Sequence, residues 1–387
     1  MIDSPRLSYN GAARLRFRPP QLVPNQSVLW AVQRAFGPPG STFAALSDPQ
    51  EGIRTARRLD LAPRIAFRIS RGTLESELGS AEAATLTADR GLYAMAADRL
   101  LETARKLSAA GERLALLKGS ALFACSIVAP GSRALADLDV LVEERQLGSW
   151  ADRLRGLGFA EVRGSVPSDH QLAPFARHGV IVELHRFLPG VRVSGARGFA
   201  TFEALEQAGL LEGLSGWPDW IFTPRPPVLA AHAAVHGLAQ HGFAPRSYPL
   251  TRMLADLIDL GVHTNPVLAE QAHVLVAKEI PREEWDELLD TCGDLERGAA
   301  VHRPLLAHAV LGLLDDDYAV SLKLRALGAV PSTLPKALVI AREAWRALFP
   351  GRARLAGLHP GGIGLALKRP FAMFGRGLLA LRVKPRR

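Results

Sequence analysis

The chain has 387 residues, 48% of them apolar, which is length enough for a sizeable core and too apolar for a mainly disordered chain. Two cysteines exclude a disulfide-built fold. The formal charge is +9, yet nine of the 47 Lys and Arg follow Gly351, where there is no Asp or Glu, so residues 1–350 are formally neutral and offer nucleic acid little footing.

Residues 1–25 read as a flexible basic arm without an apolar core of signal-peptide length. From Gln26 to about Ala84, short helical patterns alternate with breakers such as Gly37-Pro38-Pro39-Gly40. Leu86, Tyr93, Ala97, Leu100, Ala104 and Leu107 then recur at helical spacing, which predicts an amphipathic helix stopped near Gly111. The apolar run 114–117 reads as a strand that ends in Lys118-Gly119-Ser120, with Ser120 capping a short helix over 121–128. A second strand is predicted over 137–142, a helix from about Glu144 to Gly156, and a third strand over 159–163. Segments 172–177 and 180–187 flank His178-Gly179 as a hairpin. After Thr201 the strand signals stop, and helical patterns cover 201–214, 227–241, 250–262, 266–278, 283–292, 297–314 and 334–348, with the proline-rich stretch 218–227 as linker. Cys125 and Cys292 lie in apolar surroundings and are expected in the core.

The chemistry is concentrated between these strands. Strand period two places Asp137 and Asp139 on one face, and two carboxylates on one face repel unless a cation sits between them. Oxygen ligands favour Mg²⁺ or Mn²⁺. Glu183 is the single acid in the apolar strand Val180-Ile181-Val182-Glu183-Leu184-His185 and becomes a third ligand if the two strands are neighbours. Gly119-Ser120 before a helix offers a close backbone approach to phosphate, Arg133 a two-pronged phosphate contact, and Lys118 a weaker one. His185, two residues after Glu183, shares its strand face; it would orient an acceptor, act as a base, or serve as a structural histidine. The D-x-D triplet is also compatible with a solvated strand edge. His232 and His236 are four apart on a helix and, lacking an HExxH glutamate, fit helix packing better than zinc. Asp169-His170 precedes the hairpin and could reach the cleft, although an exposed loop is the simpler reading.

The ordered set Leu117-Lys118-Gly119, Pro130-Gly131-Ser132-Arg133, Asp137-Leu138-Asp139-Val140-Leu141 and Val182-Glu183-Leu184-His185 resembles the nucleotidyltransferase superfamily. It is most similar to a bacterial nucleotidyltransferase family with LKG, R, DxD and (D/E)LH motifs in that order. His232, His236, His241, Arg252, Leu254, Asp256 and Leu257 extend the likeness loosely into the helical half. The gap from Gly119 to Asp137 is longer than in the superfamily's best-known members. The resemblance implies an α+β fold: a small mixed β-sheet core with flanking helices, followed by a mainly helical C-terminal half. The domains expected are the arm 1–25, a catalytic domain with N-terminal helices at 26–195, a helical domain at 196–350 and a basic amphipathic tail at 351–387.

The resemblance further implies a metal-dependent transferase that moves a nucleoside monophosphate from an NTP, with ATP the expected donor, to a hydroxyl of a small molecule, peptide or protein. Asp137, Asp139 and Glu183 would hold Mg²⁺ or Mn²⁺, with Lys118, Gly119, Ser120, Arg133 and His185 around the donor. Transfer of the γ-phosphate alone uses similar parts, and an inactive nucleotide- or partner-binding module of the same fold is the competing class. No stretch reaches the ~18 apolar residues of a spanning helix, and a cytoplasmic protein is expected. In the tail, Leu365, Phe371, Phe374 and Leu378 alternate with Lys368, Arg369, Arg376 and Arg382. That mixture suits peripheral contact with an anionic membrane or an acidic partner, and equally a solvated end docked on the domain.

Overall fold

The computed structural model describes residues 25–38, 46–72, 79–108, 112–162, 169–194, 198–241, 248–299 and 303–315, with Tyr318, Ala319 and Leu322 beyond them. The basic arm up to Pro24, the helix expected at 334–348 and the tail at 351–387 lie outside these residues. Four helices precede the first strand: α1 (Gln26–Phe36), α2 (Pro49–Arg58), α3 (Ala62–Ser70) and α4 (Ser80–Ser108). Their starts follow local chemistry. Asn25 caps α1 through its side chain, and Asp48 accepts from the amides of Gln50 and Glu51 ahead of Pro49 in α2. In α4 the predicted stripe holds: Leu86, Ala97, Leu100, Ala104 and Leu107 are buried, with Tyr93 partly so.

The remaining described elements are β1 (Leu114–Leu116), α5 (Lys118–Ala124), β2 (Leu138–Val142), α6 (Leu147–Gly156), β3 (Ala160–Glu161), β4 (Phe175–Arg177), β5 (Val180–His185), α7 (Phe202–Gln207), β6 (Leu211–Gly213), β7 (Ile221–Pro224), α8 (Pro226–Ala234), α9 (Leu250–Asp259), α10 (Pro266–Val276), α11 (Arg282–Glu296) and α12 (Pro304–Leu314). Residues 18–314 belong to one compact unit. The strands form a mixed seven-stranded sheet in the order β3-β4-β5-β2-β1-β7-β6. The fold is thus α+β, a mixed sheet flanked by helices.

Strand β2 lies at the centre and is buried along its whole length. It runs antiparallel to β1 and parallel to β5, with Asp139 opposite Glu183 and Leu141 opposite His185. The β4–β5 hairpin turns at His178-Gly179, both with positive φ, the two-residue geometry whose twist matches its strands. From the sheet, Leu114, Leu116, Leu138, Val140, Val142, Phe175, Val182, Leu184 and Ile221 enter the core, which Leu100 and Leu107 of α4 and Trp150 and Leu154 of α6 share. Packing of this kind ties the acidic strands to a rigid support.

Strand signals do not in fact stop at Thr201. Strand β7 inserts parallel to β1, pairing Leu114 with Ile221 and Ala115 with Phe222, and β6 completes the edge. The stretch 218–227, expected as a linker, carries β7 and the start of α8. Its prolines are compatible with an interior strand because Pro224 lies beyond the β1 pairs and faces only β6. Cys292 is buried as expected, whereas Cys125, the residue that ends α5, packs against the core but is only half-buried.

Candidate active site

Asp139 and Glu183 are brought together by register: they are partners on adjacent parallel strands, so their side chains share one face. His185, two residues on, projects from the same face. One ligand atom from each of Asp139, Glu183 and His185 lies within 4.8 Å of the others. His185 Nε2 is 2.9 Å from Asp139 Oδ1 and 3.8 Å from Glu183 Oε2, while its buried Nδ1 has no hydrogen-bond partner among the described residues. The ammonium of Lys118 donates to the same Asp139 oxygen at 2.7 Å.

The electrostatics express a shortage of positive charge. Burial, then the neighbouring Asp139 charge, pushes the Glu183 carboxyl up to about 8. Burial and Asp139 also raise Asp137. Burial disfavours the Asp139 charge too, yet the Lys118 ammonium and the His185 hydrogen bond hold it well below the usual carboxylate range. Burial works against the Lys118 charge, but Asp139, Asp137 and Glu183 keep the ammonium protonated above its ordinary range.

Asp137 stands one residue before β2 and outside the group of converging ligand atoms, close enough for its charge to act on Lys118 and Glu183. Lys118 is the first residue of α5, separated from β1 by Leu117 alone, with φ of +47°. For a residue other than glycine that conformation costs about 1–2 kcal/mol and marks a position held by its surroundings. Leu117 fixes it, donating its amide to Asp139 O at 3.0 Å across the sheet.

Three sequence expectations change here. Ser120 does not cap α5, which starts at Lys118; its buried hydroxyl donates back to Leu117 O at 2.6 Å. Arg133 is not free for phosphate, because Nε and Nη2 donate to Asp256 at 2.6 and 2.9 Å and Nη1 to Ala134 O. Gly119 has a packing reason to be glycine: a Cβ there would run into the Arg133 guanidinium and come within 2.7 Å of Leu135.

Sequence reasoning missed the pairings rather than the acids. Asp256, on the apolar-periodic helix α9, closes the Arg133 pair, and Arg252 on the same helix donates to Asp60 at 2.5 Å. His170 is not an outlying loop residue: its ring centroid is 5.7 Å from that of His185, and burial lowers it to about 4. A small cavity beside Lys118 is lined by His232, His236, Tyr248 and Asp256. His232 is buried in α8, and His236 lies in the π-helical turn Val235–Gln240 that continues it, its Nδ1 2.7 Å from Gln240 Oε1. His236 and His232 pack edge-on rather than converging on a common ligand point.

A family model described as an uncharacterised nucleotidyltransferase matches residues 46–265, more than half of the chain. The chain belongs to this family. The matched span contains β1 to β7, Lys118, Asp137, Asp139, Glu183 and His185, so the nucleotidyltransferase match and the acidic site fall in the same part of the molecule. Membership makes the protein a transferase of the nucleotidyltransferase type, with an NTP as substrate. No curated protein and no solved structure matches the chain. No helix among the described residues is long and apolar enough to cross a membrane.

Proposed function

We propose that the protein transfers a nucleoside monophosphate from an NTP, ATP by expectation, to a hydroxyl of a small molecule, peptide or protein, releasing pyrophosphate. The observation that supports this most directly is the pairing of Asp139 with Glu183 in register on adjacent strands, with His185 beside them, inside the family match. The donor set fits a divalent ion: two carboxylates and one imidazole converge, and burial beside the Asp139 charge raises the Glu183 carboxyl for want of positive charge. Asp139 and Glu183 would hold the ion, His185 Nε2 would turn from donor to ligand, and Asp137 would join from the residue before β2. Hard oxygen donors favour Mg²⁺ or Mn²⁺, and the imidazole tilts the choice toward Mn²⁺. When bound, such an ion neutralises phosphate charge and lowers the pKa of an acceptor hydroxyl.

The chain's own groups do the rest. The β2–β5 register fixes the carboxylates relative to one another, which makes their contribution one of positioning and electrostatics. Burial around Asp139 and His185 excludes water from one side of the cluster. Lys118 supplies positive charge next to the donor's phosphates, and Gly119 leaves room behind it for the Arg133 guanidinium and Leu135; Arg133 and Ser120 support this structure from behind rather than touching the donor. The test is incubation of the purified protein and its Asp139→Ala variant with labelled NTPs, Mg²⁺ or Mn²⁺, and cell extract. Metal-dependent labelled product and pyrophosphate from the parent alone are expected; undiminished turnover by a folded Asp139→Ala protein overturns the assignment. Label transferred from the γ-phosphate rather than the α-phosphate would identify phosphoryl transfer instead.

A further inference from the structure

Lys118 lies 2.7 Å from Asp139 Oδ1, the same oxygen that His185 Nε2 approaches at 2.9 Å, in the cluster that Glu183 completes. Its side chain is 15% exposed, reaches the cluster from a backbone in the left-handed region, and lines the cavity on its other side with His232, His236 and Tyr248. An ordinary structural lysine would not need a left-handed backbone to bring its ammonium onto a candidate ligand atom. Among the described residues Arg133 is committed to Asp256 and Arg252 to Asp60, whereas Lys118 pairs with Asp139 of the cluster itself.

We infer that Lys118 is a tethered counter-cation for the acid pair, seated on Asp139 until a divalent ion displaces it, whereupon the ammonium swings off the carboxylate toward the adjoining cavity. The inference rests on the reading of Asp139 and Glu183 as metal ligands. It assigns Lys118 a positioning role: it keeps the empty ligand cluster charge-balanced and makes ion binding a competition. The displacement is an exchange of electrostatic partners and breaks no covalent bond.

The experiment uses the full chain without nucleotide and has two readouts. Mn²⁺ affinity is measured for the parent, Lys118→Met, Lys118→Arg and Lys118→Met/Glu183→Gln, with circular dichroism to verify folding. Lys118→Met is expected to bind Mn²⁺ about tenfold or more tightly, the scale of removing a like charge at this distance. Lys118→Arg should stay near the parent, and the double variant should lose the gain. In parallel, lysine acylation of the parent is followed by peptide mapping with and without saturating Mn²⁺. Lys118 should react several-fold faster with the ion present, while the exposed Lys106 and Lys278 stay unchanged and serve as internal standards. If Mn²⁺ binds in a Glu183-dependent way but neither the Lys118→Met affinity nor the Lys118 labelling moves, the counter-cation role is overturned and the metal reading stands. If neither parent nor Lys118→Met binds Mn²⁺, both fall.

Discussion

Arg133 and Asp256 stand 123 positions apart in the chain and form a two-pronged ion pair, with side chains only 8% and 4% exposed. The pair joins the loop before β2 to helix α9, so the strand carrying Asp139 is braced by the helical half. Removing one partner leaves the other charge buried and alone, which costs about 3–5 kcal/mol. Asp256→Ala is therefore expected to lower the denaturant midpoint strongly, and Arg133→Met/Asp256→Leu to recover most of the loss. Urea unfolding of the three proteins checks this; equal midpoints for the single variant and the parent would refute the bracing role.

Glu183→Gln separates stability from chemistry. The Glu183 carboxylate is opposed by burial and by Asp139, so removing its charge should preserve or raise the melting temperature of the metal-free protein. The same change should reduce metal-dependent turnover by about 10²-fold or more and abolish any thermal shift caused by Mn²⁺. Differential scanning fluorimetry with and without the ion gives both temperatures.

The histidines around the π-helical turn predict an acid limit to stability. Burial, reinforced by the Lys118 charge, lowers His241 to about 4 and His236 well below its ordinary range. Gln240 accepts from or donates to His236, and Tyr248 packs on both rings. These bases bind fewer protons folded than unfolded. Their contribution is thus complete above the unfolded value of about 6.5 and is lost as pH falls toward 4, at up to about 1.4 kcal/mol per pH unit per group. Stability measured from pH 7 to 4.5 should fall, and His241→Gln should flatten part of the slope.

Gly119→Ala probes packing beneath the site. The added methyl meets the Arg133 guanidinium and Leu135, and the buried Asp256 pair must give way. A loss of about 1–3 kcal/mol is expected, the scale of an overpacked core. Gly148→Ala, where no atom lies within 4 Å of the added carbon, is the control and should be near neutral.

How much of this was legible in the sequence depends on the range of the interaction. Asp139 and Glu183 stand out because each is an acid among apolar strand residues, and the hairpin at His178-Gly179 announces itself locally. The register that sets Asp139 opposite Glu183 was conditional on strand adjacency, which single-strand patterns do not encode. His185 was visible as a neighbour of Glu183 on one face, yet its contact with Asp139 depends on that same pairing. Arg133 looked like a phosphate ligand because its partner lies on a distant helix. Strands β6 and β7 escaped because they have three and four residues, and the prolines around β7 mimic a linker.

The pairing of β1 with β7 sets a condition on biosynthesis. Leu114 and Ala115 wait for Ile221 and Phe222, more than a hundred residues later, before that flank of the sheet is hydrogen-bonded. At a translation rate of about 5–20 residues per second, the nascent chain carries an open strand edge for roughly 5–20 s after β1 emerges. A fragment that stops before Ile221 would carry that edge permanently, even though it holds every acid of the site. The chemistry of the first half is therefore inseparable, as a folding problem, from a four-residue strand supplied by the second.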